Sequence, residues 1–195
     1  MDKLDLLPFV KKLRICGTCT GYLLRFYPEL ASCSLLHKFS ALSNVREPLI
    51  EYLDISTFTQ RPQLLFRHFL PTVQSLALMK PGGSHRQIIY FIGLFQHLED
   101  LKLSQRYLYP EFEQEYSVDD LTLIPHFAPP LRGRLIMRFS NKVEFLADMI
   151  GLFGGLRFRS MDLYHVDGMR LLLGACAETL ESLRLHLIDF DSKQL

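Results

Sequence analysis

The sequence predicts an α/β solenoid in which short parallel strands stack side by side and helices cover one face of the sheet. Three observations support this prediction. A short apolar phrase recurs along the chain, its copies are spaced by about one repeat length, and the segments between the copies carry helix signals. Self-similarity of this kind is typical of repeat proteins, in which each unit is stabilised by its neighbours.

The recurring phrase is apolar-x-x-apolar-x-apolar, where x is any residue. Clean copies occupy residues 10–15, 73–78, 98–103, 158–163 and 180–185. A copy at 45–50 is damaged by Pro48, which lacks a backbone N–H, so we expect that strand to be short or bulged. A further copy keeps only Leu135 and Met137, because Arg132 stands at its first apolar position.

The central residues of the copies lie at positions 13, 48, 76, 101, 135, 161 and 183. The steps between them are 35, 28, 25, 34, 26 and 22 residues. Most steps fall within the roughly 20–29 residues of a leucine-rich repeat, and the long steps are interpreted as insertions. We therefore expect residues 1–195 to form one irregular leucine-rich-repeat-like horseshoe of about seven repeats. The Asn or Cys that usually follows each phrase is missing, so the array is expected to be degenerate.

The residues between the apolar positions of each phrase are the candidate binding residues. Period-2 alternation directs the apolar side chains inward and the residues between them to the opposite face. Charges of both signs with small polar residues suit a protein-binding face and equally suit an ordinary hydrated sheet. The positions expected on this concave face are Lys12, Arg14, Glu47, Leu49, Ser75, Ala77, Asp100, Lys102, Arg134, Ile136, Ser160, Asp162, Ser182 and Arg184.

Helix signals occur between the phrases. Residues 84–87 (SHRQ) indicate a capping box, and residues 141–144 (NKVE) indicate a similar start for a helix that ends at Gly154-Gly155. Pro62 suits a first helical turn, and Asp167 is expected to cap another helix. A shorter helix is expected around residues 22–26. The apolar positions expected to face the core are 65, 66 and 69; 88, 91, 92 and 95; 145, 149 and 152; and 171, 172 and 175.

Composition narrows the classes of partner and compartment. The net charge is +1 with 48% hydrophobic residues, so nucleic acid and anionic membranes are not expected as partners. The longest apolar runs are shorter than a membrane span, and the first residues lack the layout of a secretory signal. Four cysteines are too few for a disulfide framework in a chain of this length. A cytoplasmic or nuclear location is expected.

The segment Cys16-Gly-Thr-Cys19 is the sharpest feature that suggests chemistry. A CxxC pair serves either in thiol redox chemistry or as half of a zinc site. No second pair follows at zinc-site spacing, because Cys33 and Cys176 are isolated. P-loop, nucleophile-elbow and dinucleotide-binding motifs do not occur. We therefore expect no cofactor, no metal and no enzymatic activity.

An acidic insertion near residues 108–125 accounts for one of the long steps. Most insertions of this kind are solvated loops, and a lip that recognises a basic partner is the functional alternative. Nearby basic residues Arg132, Arg134 and Arg138 offer a way to neutralise it. The acidic side chains are Glu111, Glu113, Glu115, Asp119 and Asp120.

Several phrases together carry a family resemblance. Residues 69–78, 86–103, 129–135, 155–163 and 175–185 resemble the repeats of fungal leucine-rich-repeat F-box-type proteins, over about residues 7–186. The resemblance implies a repeat region that holds substrates for a ubiquitin ligase. No F-box-like segment is seen before the first phrase, so a ligase adaptor is expected as a partner only if an F-box lies upstream.

The expected function is non-enzymatic recognition of a protein partner of unknown identity. Two alternatives stay open. The chain is a truncated or decayed family member without independent function, or it is a thiol or zinc protein that uses Cys16 and Cys19.

Overall fold

The computed structural model describes residues 9–16, 42–52, 55, 70–104, 131–140 and 143–186. The strands in this part of the chain are β1 (Lys12–Cys16), β2 (Glu47–Glu51), β3 (Ser75–Met79), β4 (Asp100–Ser104), β5 (Leu131–Ser140), β6 (Leu156–Val166) and β7 (Ser182–His186). The helices described are α1 (His85–Gly93), α2 (Val143–Leu152) and α3 (Met169–Ala175). The helices expected after Pro62 and around residues 22–26 lie outside the described residues, as does the acidic insertion.

The strands form one parallel seven-stranded sheet in sequence order, from β1 to β7. The register aligns the central residues of the phrases. Leu101 pairs with both Leu76 and Leu135, and Met161 pairs with both Leu135 and Leu183. The phrases predicted as strands are thus confirmed as strands of an open α/β sheet. This arrangement is compatible with a solenoid-like fold.

The apolar positions of the phrases build the core beneath the sheet. Leu76, Leu101 and Leu135 are at most 1% exposed, and they belong to one cluster that also includes the buried faces of the helices. Full burial of each such side chain stabilises the fold by about 1.5–3 kcal/mol. Leu183 and Leu185 occupy the equivalent apolar positions on β7. Each is 41% exposed, because no described element lies beyond that strand.

Helices α1 and α2 begin and end at the predicted signals where these are described. The Ser84 hydroxyl accepts from the Gln87 N–H at 3.3 Å, and the Gln87 side chain accepts from the Ser84 N–H at 2.8 Å, which confirms the capping box. Helix α2 ends before Gly154, whose φ of 62° is the left-handed conformation expected there. Helix α2 begins at Val143, and because residues 141 and 142 lie outside the described part, the capping signal before it stays a prediction.

The predicted start of α3 is wrong. Gly168, at φ 74°, is the N-cap, and no side chain caps the helix, whereas Asp167 is exposed. The left-handed backbone suits glycine, and a Cβ there would lie within 3.2–3.3 Å of the Val143 and Leu146 side chains. Leu172 is buried as expected, but Leu171 is 42% exposed because this short helix turns only one side toward the core.

The prediction that Pro48 makes its strand short or bulged is wrong. Strand β2 is as long as β1 and pairs with it from Glu47 onward, with no register shift in that ladder. Its pairing with β3 begins only at Leu49, although the Ser75 N–H still donates to the Arg46 carbonyl at 3.0 Å. The next bond of that ladder would need the N–H that Pro48 lacks. The proline therefore shortens one ladder and leaves the strand unbulged.

Strand β5 is longer than the surviving half of its phrase predicts. It pairs with β6 from Leu131 to Ser140, with a register shift between Gly133 and Arg134. Gly133 has φ 79°, and its Cα faces the Glu99 carbonyl oxygen so closely that a Cβ would lie 2.0 Å from that oxygen. The bulge extends the strand past Arg132 and brings Leu131 into the core at 4% exposure.

Candidate binding surface on the open face of the sheet

The side of the sheet opposite the core is called here the open face, and its side chains form three rows across the strands. The first row is Lys12, Glu47, Ser75, Asp100, Arg134, Ser160 and Ser182. The second row is Arg14, Leu49, Ala77, Lys102, Ile136, Asp162 and Arg184. The third row is Cys16, Glu51, Met79, Ser104, Arg138, Tyr164 and His186.

The structure brings all the sequence-predicted face residues together in the first two rows. The third row lies two residues further along each strand and was missed. The signal for it was present, since period-2 alternation continues beyond the last apolar position of each phrase. From the sequence, Arg138 is expected only in a basic cluster near the acidic insertion, and Tyr164 and His186 are not among the predicted face residues.

Charges on the open face of β1 and β2 are matched one to one. Lys12 Nζ lies 2.7 Å from Glu47 Oε2, and Arg14 Nη2 lies 2.6 Å from Glu51 Oε2. The hydrogen bond from Arg14 lowers the pKa of Glu51, and the same bond raises the pKa of Arg14. The Lys12–Glu47 pair is exposed and contributes little stability. The charges of the two pairs cancel, so this end of the face is neutral.

The CxxC segment begins at the end of β1. The exposed Cys16 thiol donates to Glu51 Oε2 at 3.3 Å. Cys19 and Cys33 lie outside the described residues, and within the described ranges no three metal-ligating side chains are grouped together. The other described cysteine, Cys176, is buried, and burial raises the pKa of its thiol.

Tyr52 and Lys80 follow β2 and β3 with left-handed backbones, at φ 53° and 51°. Non-glycine residues adopt this region at a cost of about 1–3 kcal/mol, and such strain concentrates at functional sites. Lys80 Nζ lies 3.2 Å from the Tyr52 hydroxyl and 4.7 Å from the centre of its ring. The two strained residues support one another through this contact, which the sequence did not predict.

Asp162 lies at the centre of the open face of β5, β6 and β7. It is only 6% exposed, which is unusual for an aspartate on the solvent side of a sheet. Arg134 on one side and Arg184 on the other approach the same oxygen, Oδ2, at 3.8 Å each. His186 Nε2 lies 2.9 Å from Oδ1, yet the two atoms are not aligned for a hydrogen bond.

Beside Asp162, the third row forms a stack of planar groups. The Arg138 guanidinium lies over the Tyr164 ring, 4.5 Å from its centre. The His186 ring also stacks on the Tyr164 ring. The two rings are parallel to within 8°, and their centres are 3.6 Å apart. We call Arg134, Arg138, Asp162, Tyr164, Arg184 and His186 the Asp162 cluster. It joins three arginines, one aspartate and two aromatic rings on the described open face.

No described helix is long and apolar enough to cross a membrane. Comparison of the chain with protein-family models, with curated proteins and with solved structures gave no match.

Proposed function

We propose that this chain is a non-enzymatic recognition module, built as an irregular leucine-rich-repeat horseshoe, whose open face binds a protein partner. The observation that carries the proposal is the alignment of the three rows. Parallel strands in register place equivalent side chains about 4.8 Å apart across the whole sheet. Such a surface offers many weak contacts at once, which is how a broad protein interface is built.

The chemistry of the three rows favours a protein ligand over a small molecule. Leu49, Ala77 and Ile136 lie half-buried in the second row, among the charged residues of neighbouring strands. Apolar contacts surrounded by polar ones are typical of protein interfaces. The phrases that resemble fungal F-box-type repeats support a substrate-holding role in ubiquitination, which is part of the same proposal.

Site-specific photocrosslinking tests the proposal. A photoreactive amino acid replaces Lys102, at the middle of the open face, in the full chain expressed in the organism that encodes it. The matched control carries the same residue at Arg170, which is exposed on α3. We expect a discrete protein adduct from position 102, suppressed by excess unlabelled chain, and no such adduct from position 170.

The opposite result is equally clear. Adducts of the same identity and yield from both positions, or none from position 102, contradict a recognition role for the open face.

A further inference from the structure

We propose that the Asp162 cluster is a binding site for a phosphoryl group carried by a protein segment. This inference rests on the proposed function and deepens it, because it names the chemistry that one end of the open face recognises. Three observations carry it: the charge of the cluster, its unpaired donors and its rigidity.

The charge of the cluster is not balanced. Arg134, Arg138 and Arg184 stand against the single carboxylate of Asp162, which leaves a formal surplus of two positive charges among these four groups. On β1 and β2, by contrast, each cation of the open face has its own carboxylate within 2.7 Å. The surplus is therefore a local property of β5–β7, since the chain as a whole carries only +1.

The donors of the cluster are largely unused. Arg138 Nε is buried and has no hydrogen-bond partner, although guanidinium donors are among the most costly groups to leave unpaired. Arg134 and Arg184 reach Asp162 only at 3.8 Å, well beyond the roughly 2.7–2.9 Å of a charge-assisted hydrogen bond. Among the described residues, no carboxylate lies within ion-pair distance of Arg138. An added anion would pair first with the exposed guanidinium groups of Arg134 and Arg184, whose side chains are 48% and 69% exposed.

The cluster is also held in place before any ligand arrives. Tyr164 lies between the Arg138 guanidinium and the His186 ring, whereas Arg134 and Arg184 are drawn toward the Asp162 carboxylate by charge at 3.8 Å. Side chains that are already ordered lose less conformational entropy on binding. Buried Asp162 thus acts as a positioning residue that orients the guanidinium groups.

A phosphoryl group fits this site better than a carboxylate does. A phosphorylated side chain carries about −1.5 to −2 at pH 7 and three acceptor oxygens, which match a surplus of two positive charges and several guanidinium donors. A carboxylate would cancel about half of that surplus. Arginine is the side chain best suited to bind phosphate through paired N–H groups.

Peptide binding measured by fluorescence anisotropy tests the inference. The probes are labelled peptide libraries of random sequence around one fixed residue, which is phosphoserine, glutamate or serine. With the full chain, we expect the phosphoserine library to bind at least about tenfold more tightly than the other two, a difference of about 1.4 kcal/mol. Inorganic phosphate should compete for the site.

Two matched variants locate the site. Arg138→Gln should weaken binding of the phosphoserine library about tenfold or more, whereas Arg14→Gln, on the same face at β1, should leave it unchanged. Thermal melting of both variants shows whether they fold. If Arg138→Gln lowers the melting temperature, Arg184→Gln on the exposed last strand serves in its place, with the same expected loss.

Each other outcome overturns the inference. Equal binding of the glutamate and phosphoserine libraries excludes phosphoryl selectivity, and equal losses in the Arg138 and Arg14 variants indicate non-specific attraction. An RNA oligonucleotide that displaces the phosphopeptides at lower concentration assigns the cluster to nucleic acid instead. If none of the libraries binds while crosslinking at position 102 still yields a specific partner, the inference fails and the proposed function stands.

Discussion

Tyr164 on β6 and His186 on β7 are register partners whose rings stack in parallel, with centres 3.6 Å apart. The contact exists only because the two strands are aligned as their phrases predict. It joins the end of the described sheet to the preceding strand through side chains that lie outside the core. The stack is therefore part of the Asp162 cluster. Its contribution to stability also reports how strongly β7 is attached to β6.

We expect Tyr164 and His186 to be energetically coupled. Stacked aromatic pairs contribute about 0.5–1.5 kcal/mol beyond the area they bury. A double-mutant cycle of Tyr164→Leu and His186→Leu, measured by urea unfolding, should give a coupling energy in that range. The control cycle of Tyr164→Leu with Ser182→Ala should give a value near zero. A zero coupling for the stacked pair would show that the rings are not in contact.

Replacement of Gly133 should destabilise the fold strongly. In Gly133→Ala the new Cβ would meet the Glu99 backbone at 2.0 Å, at a φ of 79° that alanine rarely adopts. We expect a loss of about 2 kcal/mol or more in the free energy of unfolding.

The matched control for Gly133 is Gly174→Ala in α3, where a Cβ meets no atom within 4 Å. That variant should gain about 0.5–1 kcal/mol, because alanine stabilises a helix relative to glycine. Chemical denaturation of both variants gives the comparison. A Gly133→Ala protein as stable as the parent would contradict the bulge at Gly133 in the β5–β6 ladder.

The strands and their register could be predicted because every second residue of a strand in this sheet faces the core. The spacing of the apolar residues in the phrase matches that alternation directly. The bulge at Gly133 could not, since it depends on how closely the carbonyl of Glu99, the residue before β4, approaches Gly133. The Gly168 cap was missed for a similar reason. Asp167 has the better capping side chain, but the left-handed turn packed against Val143 and Leu146 requires glycine one residue later.

The candidate site was predictable only in part. The alternation rule places Arg134, Asp162 and Arg184 on the open face, and the structure agrees. The convergence of the two arginines on the Asp162 carboxylate depends on side-chain rotamers and on the third row. No pattern in the phrases specifies either of these. The burial of Asp162 follows from the long side chains around it and is not a property of its own position in the sequence.

The stability of the protein should depend on pH through Glu51. Its pKa is lowered in the folded state by the hydrogen bond from Arg14, relative to an ordinary value of 4.5. The contribution of this group is therefore present above pH 4.5 and is lost as the pH falls through the lower folded-state pKa. The difference in unfolding free energy between the parent and Glu51→Gln should be largest near pH 6 and shrink in acid.

The Arg14→Met variant provides the control for this pH dependence. It removes the largest cause of the lowered pKa and leaves the hydrogen bond from Cys16, so a further Glu51→Gln change in that background should have a smaller pH-dependent effect. A Glu51→Gln effect that is constant from pH 3 to pH 6, at roughly the same size with and without Arg14, would contradict the linkage.

The two described cysteines should differ in reactivity. Cys16 is exposed, whereas Cys176 is buried and burial raises the pKa of its thiol. Because the thiolate is the reactive form, iodoacetamide at pH 8 should modify Cys16 and spare Cys176 in the folded protein. Peptide mapping by mass spectrometry separates the sites, and modification of both in urea is the control. Rapid labelling of native Cys176 would place that residue outside the core.

The most direct test of the account is the register between β6 and β7, on which the Asp162 cluster depends. Ser160 and Ser182 are register partners on the open face, at the Cα separation of about 4.4–6.8 Å that a disulfide requires. Mild oxidation of the Ser160→Cys/Ser182→Cys variant should therefore give an intramolecular disulfide, mapped by mass spectrometry. The offset variant Ser160→Cys/Arg184→Cys should give little. Preferential crosslinking of the offset pair, or equal yields from both, would contradict the alignment.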